Sequence, residues 1–164
     1  MKTWRWVSGL DPLSAGSRRW ERTGELPDNA QPDDVAETTS GLGFGLHHVQ
    51  LSIPPNSEDD CRRFWVDVLG MTETRKPPVL AASGGLWVRA DDLEIHLGVE
   101  EDSRPAKKAH PGILVADLDG LAKRLEGRGV EVTWDDDFHG HRRFCAKGDP
   151  GNRLEFLAPA PDTR

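Results

Sequence analysis

Two stretches about sixty residues apart restrict the folds open to this chain. The first reads His48-Val49-Gln50-Leu51-Ser52-Ile53 and the second His110-Pro111-Gly112-Ile113-Leu114-Val115. In the first, Val49, Leu51 and Ile53 alternate with His48, Gln50 and Ser52, the period of a strand with one apolar and one polar face. A histidine heads both stretches. Each is followed by an acid-rich helix start, a helical apolar face, a glycine stop and further short strands, four in the first copy and three in the second. Ser57 with Glu58, Asp59 and Asp60 precedes Cys61, Phe64, Trp65, Val68 and Leu69, and Gly70 ends that helix. Asp117 precedes Leu118, Leu121, Ala122 and Leu125, with Gly127 and Gly129 behind them. Anchors pair at offsets of 62 (His48 with His110), 59 (Gly70 with Gly129) and 61 (Leu93-Glu94-Ile95 with Leu154-Glu155-Phe156). The pattern predicts two copies of a βαβββ unit sharing a core.

The predicted strands are 47–53, 71–75, 79–82, 86–89 and 93–99 in the first copy, and 110–115, 130–134, 141–146 and 153–157 in the second. Residues 1–45 read differently. Pro, Gly, Ser, Asp and Glu are frequent there, no period is sustained, and Trp4, Trp6 and Trp20 sit among arginines. The expectation is a flexible extension over 1–45, a domain over 46–158 with modules at about 46–100 and 109–158, and a tail over 159–164.

Composition excludes several classes. A net charge of −7 argues against nucleic-acid binding through bulk electrostatics. No run of 18 apolar residues and no apolar leader are present, so neither a membrane span nor a secretory signal is expected. Two cysteines, Cys61 and Cys145, suit a reducing compartment, and a cytoplasmic location is expected. Gly41-Leu42-Gly43-Phe44-Gly45 lacks the context of a nucleotide loop. Six tryptophans accompany no tyrosine, so the chain offers no phenol.

The sequence resembles the vicinal oxygen chelate superfamily of glyoxalases, bleomycin-resistance proteins and extradiol dioxygenases. The resemblance rests on His48-Val49-Gln50-Leu51, Arg63-Phe64-Trp65-Val66-Asp67-Val68-Leu69-Gly70-Met71, Val115-Ala116-Asp117-Leu118-Asp119 and Asp149-Pro150-Gly151-Asn152-Arg153-Leu154-Glu155-Phe156. It implies an α+β fold in which two tandem βαβββ modules form a cup-shaped mixed sheet. The polar faces of the strands then put His48, Glu94, His96, His110 and Glu155 where they can look into one cup.

The family's ligand positions imply His48, His110 and Glu155 as metal ligands. Resemblance to glyoxalase I adds Glu94, with His96 competing two residues on. These are donors that a catalytic divalent ion with open positions uses, whether Zn, Ni, Fe, Mn or Co. Glu94, His96 and Glu155 are the candidate acid–base groups. Gln50, Trp87 and Arg143 are candidate substrate contacts, Arg143 because only one of the neighbouring pair Arg142-Arg143 can face inward. Trp87 and Phe144 are candidates for cup or core walls.

The implied function is glyoxalase I-like lyase or isomerase chemistry on a small oxygenated substrate through an enediolate-like intermediate. The implied assembly is a homodimer. A ring-cleaving extradiol dioxygenase is an alternative, although those relatives place a tyrosine beside the metal. A metal-free protein that binds or sequesters an antibiotic is another.

Overall fold

The computed structural model of the chain describes strands over 3–8 and 18–23, and residues 46–160 except Asp149. Contacts divide the chain into two units, Met1–His47 and His48–Arg164. The first contains a strand pair, β1 (Thr3–Ser8) and β2 (Arg18–Thr23), antiparallel with Trp6 opposite Trp20. The sequence reading expects no regular element here. The strand formers Thr, Trp and Val in Thr3-Trp4-Arg5-Trp6-Val7-Ser8 outweigh the turn-rich composition around them. The glycine stretch 41–45 lies outside the described residues.

The second unit realises the repeat. Its first module runs β3 (Val49–Ile53), α1 (Glu58–Cys61), β4 (Thr72–Thr74), a short α2 (Pro78–Ala81), β5 (Leu86–Ala90) and β6 (Leu93–Val99). The second module runs β7 (Gly112–Leu114), α3 (Leu118–Glu126), β8 (Val132–Asp135), β9 (His141–Lys147) and β10 (Arg153–Pro159). The sheets have the same strand order, β3-β6-β5-β4 and β7-β10-β9-β8. In each, the first strand pairs in parallel with the last, and the remaining pairs are antiparallel. The architecture is α+β, two tandem βαβββ modules.

Local chemistry explains where the elements depart from expectation. After α1 the chain continues as a π-helical segment, Arg62–Val68, which packs Phe64 and Trp65 inward at 2% and 1% exposure. Ser57 does not cap α1 with its side chain; its hydroxyl donates to the Pro54 carbonyl at 2.6 Å. Glu58 reaches across instead and accepts the Gly85 N–H at 2.9 Å. Gly85 is obligatory there: its φ is +73°, and a Cβ would come within 2.0 Å of the Leu97 carbonyl oxygen. The expected strand at 79–82 is instead the single helical turn α2, started by Pro78 at a position that suits a residue without an N–H. Asp117 does cap α3, accepting the Gly120 N–H at 2.8 Å.

The core joins both modules. Trp65, Phe64, Ile95 and Leu97 from the first belong to one cluster with Leu125, Phe144, Leu154 and Phe156 from the second. Burial of apolar faces of this size is the main term holding the unit together. Buried Asn152 adds a polar tie, its amide donating to the Ser52 carbonyl at 2.9 Å. Phe144 is core at 0% exposure rather than cup wall.

Candidate functional site

On β6, Ile95 and Leu97 face the core, which leaves Glu94 and His96 together on the opposite face. Trp87 stands directly across from His96 on β5. The two rings stack at 3.9 Å between centroids and 4° between planes. His48, just ahead of β3, stacks on the other side at 4.0 Å and 17°. His96 is therefore sandwiched, and only 6% of it is exposed although it lies on the polar face. Its Nε2 lies 2.7 Å from Glu94 Oε1. Exposed Gln50 lies opposite His96 in register, its amide against Gly98.

The second sheet carries a different arrangement. Glu155 is buried at 8% exposure on β10. Its Oε1 accepts from the Arg143 guanidinium at 2.6 Å, and the other arm of Arg143 reaches Asp135 at 2.8 Å. Burial alone would lower the Arg143 pKa, but Asp135 and Glu155 outweigh it and raise it. The Asp135 carboxyl is held below its ordinary range, first by the Asp137 amide and then by Arg143 against the opposing effect of burial. Arg142 points to the other face and forms a two-pronged pair with Asp119 at 2.8 Å on both arms. Of the two arginines, Arg143 is thus the one that joins Glu155.

His110 lies beside Glu155. Its Nδ1 faces the Lys108 carbonyl and must donate to it, which leaves Nε2 as a lone-pair donor in the neutral ring. That Nε2 is 3.6 Å from Glu155 Oε2, too far for a hydrogen bond.

The predicted residues therefore form two sets. His48, Glu94, His96 and Trp87 come together on the first sheet; His110, Glu155 and Arg143 come together on the second. Among the described residues, no group of three or more His, Cys, Asp and Glu side chains is gathered as a metal site. The donor chemistry nonetheless fits a divalent ion at the His110–Glu155 pair, where a carbonyl fixes the imidazole tautomer as metal-binding histidines require.

Strand register sharpens the choice between Glu94 and His96. Gln50 and Gly112 each lie two residues beyond their module's histidine. Gln50 pairs with His96, and Gly112 with Glu155. His96 is thus the counterpart of Glu155, at an offset of 59, and Glu94 is the counterpart of Arg153. The match of Glu94 to Glu155 by sequence slips by two residues, which keeps the same face and so leaves the apolar pattern intact.

A cavity of about 430 Å³ lies where β3 meets the second module, and Gln50, Ser52, Arg104, His110, Asn152 and Arg153 line it. Sequence reading passed over Arg104, Asp135 and Arg153. Nothing in the spacing marks Arg104 or Asp135, while Arg153 shares its face with Glu155 and could have been found by alternation. His47 and His139 are exposed, and half-buried His141 stacks on Phe138 with centroids 4.9 Å apart.

Residues 45–156 match the family model of the Glyoxalase/Bleomycin resistance protein/Dioxygenase superfamily. A glyoxalase family protein from Bacillus anthracis is 37% identical, covering 71% of this chain and 96% of that one, with a TM-score of 0.69. TnmS3, an antibiotic binding protein from Streptomyces sp. CB03234, is 22% identical over 72% of this chain and 100% of its own, with a TM-score of 0.56. Lactoylglutathione lyase from Agrobacterium tumefaciens is 17% identical over 67% and 91%, with a TM-score of 0.52. The last two show the fold alone. No curated protein matches the chain. With two βαβββ modules in its second unit and a family match over most of its length, the chain belongs to the Glyoxalase/Bleomycin resistance protein/Dioxygenase superfamily.

Proposed function

We propose that the protein is a divalent-metal-dependent enzyme with lyase or isomerase chemistry on a small oxygenated molecule. The observation that carries this reading is the geometry of His110 and Glu155: Nε2 and Oε2 lie 3.6 Å apart, while Nδ1 is turned to the Lys108 carbonyl and Oε1 is held by Arg143. His110 and Glu155 would hold the ion from the second sheet, and His48 with His96 or Glu94 would complete the set from the first. Imidazole and carboxylate donors together suit Zn, Ni, Fe, Mn or Co. A homodimer offers one way to bring a first-sheet set against a second-sheet set. The bound ion would act as a Lewis acid on substrate oxygens.

The chain's own groups have separate duties in this scheme. Arg143 fixes Glu155 through Oε1 and leaves Oε2 for the ion. Glu94 holds His96 at Nε2 and is the nearest carboxylate to take a proton from it. Trp87 and His48 keep the His96 ring in place by stacking. Gln50 and Arg104, on the cavity wall with His110, would contact the substrate.

Metal analysis of protein purified without chelator tests the reading. Wild type should retain close to one ion per site, and His48→Ala, His110→Ala and Glu155→Gln should each retain far less. Equal and negligible metal in all four proteins would overturn it.

A second reading has its own observation. The Trp87–His96–His48 column is an aromatic surface suited to a flat ligand, and the fold is shared with an antibiotic binding protein. That reading predicts ligand-induced thermal stabilisation indifferent to chelator. No described helix is long and apolar enough to cross a membrane, and we place the protein in the cytoplasm with a small molecule, not nucleic acid, as its partner.

A further inference from the structure

A second cavity, of about 620 Å³, opens along the second sheet beyond Glu155. Its polar wall consists of Lys107, Lys147, Arg153, Glu131, Thr133 and Cys145. Three cations and one carboxylate line it, in a chain whose overall charge is −7. Among the described residues, none of the three cations is in an ion pair, whereas Arg62, Arg63, Arg142 and Arg143 all are. Arg153 is held by weak partners only: the Lys107 carbonyl at 3.4 Å and the Cys145 thiol at 3.2 Å. Its Nε is buried without a hydrogen-bond partner. Its charge acts on the Asp135 carboxyl, but none of its N–H groups is hydrogen-bonded to a carboxylate among the described residues, so its donors are open to an anionic ligand.

We propose that this cavity binds the anionic end of a small molecule, a carboxylate or phosphate group, with Arg153 as the central contact and Lys107 and Lys147 beside it. Arg153 also lines the cavity that contains His110. One molecule can therefore present its anionic group to Arg153 and its remainder toward the candidate site. Three converging cations in a concave wall raise the local concentration of anions. The proposal does not need a metal.

Cys145 is a built-in reporter. It is half-buried on this wall, and Cys61, the other cysteine of the chain, is fully buried. The full-length protein is alkylated in the presence of chelator, so a failure of the metal reading leaves the result untouched. Iodoacetate, an anion, and iodoacetamide, its neutral analogue, are compared on wild type and on the exposed double variant Lys107→Gln/Lys147→Gln. The iodoacetate-to-iodoacetamide rate ratio at Cys145 should fall about tenfold in the double variant. Inorganic phosphate and succinate, tried separately, should slow iodoacetamide alkylation of wild type and do so far less in Arg153→Gln; the better protector identifies the anionic group. An unchanged rate ratio, or no protection by either anion at millimolar concentration, overturns the proposal. Circular dichroism of each variant excludes misfolding as the cause, and the double variant keeps the test available if Arg153→Gln does not fold.

Discussion

The two modules share strand order, register and a histidine ahead of the first strand, yet their open faces are chemically unlike. At the position opposite the second residue after that histidine, the first sheet has His96 and the second has Glu155. The first surrounds its residue with flat rings, Trp87 and His48. The second surrounds its residue with charge, Arg143 and through it Asp135. One scaffold thus offers a stacked-ring surface with a single carboxylate, Glu94, and a face built from a linked arginine–carboxylate network. The apolar faces beneath are alike, because both must feed one core. What the core needs is common to both modules, and the solvent-side positions differ.

The comparison can be broken most severely at the core. Trp65→Ala in the first module and Phe144→Ala in the second should each cost about 3–5 kcal/mol. Both should give a single denaturant transition, since the cluster is shared. Two separated transitions would show that the modules are energetically independent.

A smaller effect is expected at the ionic face. Arg143→Ala leaves Glu155 buried with its strongest partner gone and should cost about 2 kcal/mol, measured by urea unfolding. Glu94→Gln on the first sheet keeps a hydrogen-bond acceptor for His96 and should cost less than about 1 kcal/mol. Equal losses would mean that the two faces are not as unlike as their residues suggest.

The smallest effect concerns acid. The Glu58 carboxyl is held below its ordinary pKa, first by the Gly85 amide and then by its own. A depressed carboxyl contributes stability that is present above its unfolded pKa and lost as pH falls through the folded one. Glu58→Gln should therefore cost about 1 kcal/mol at pH 7, and the gap to wild type should narrow as pH falls below the ordinary carboxylate range. Asp135 makes the same kind of contribution in the second module. A gap that does not narrow at all with acid would place the effect in packing rather than in charge.

The sequence revealed the two-module plan because periodicity and glycine stops report burial, and burial is what both modules share. His48 and His110 were visible for the same reason, as heads of repeated strands. Other features were hidden for identifiable physical causes. A slip of two residues along β6 exchanges Glu94 and His96 without moving any apolar side chain. The π-helical turn over Arg62–Val68 depends on how Phe64 and Trp65 fill the core. At α2, Val79 and Leu80 read as strand residues, but two prolines and 86% exposure of Val79 leave them nothing to pair with. Alternation puts Arg153 on the face of Glu155, but that it has no ion-pair partner among the described residues shows only in the structure.

The parallel pairing of first and last strands has a kinetic consequence. Gln50 meets His96 only after 46 residues, and Gly112 meets Glu155 only after 43. Each sheet must close a long loop before its edge strand has any partner, which makes pairing of β3 and β7 late and slow events. On a ribosome the first module can close its sheet while the second is still being made. The second has no such freedom: β7 waits for β10, which ends at Pro159, so a chain truncated before Arg153 would leave β7 as an unpaired edge open to association with other chains.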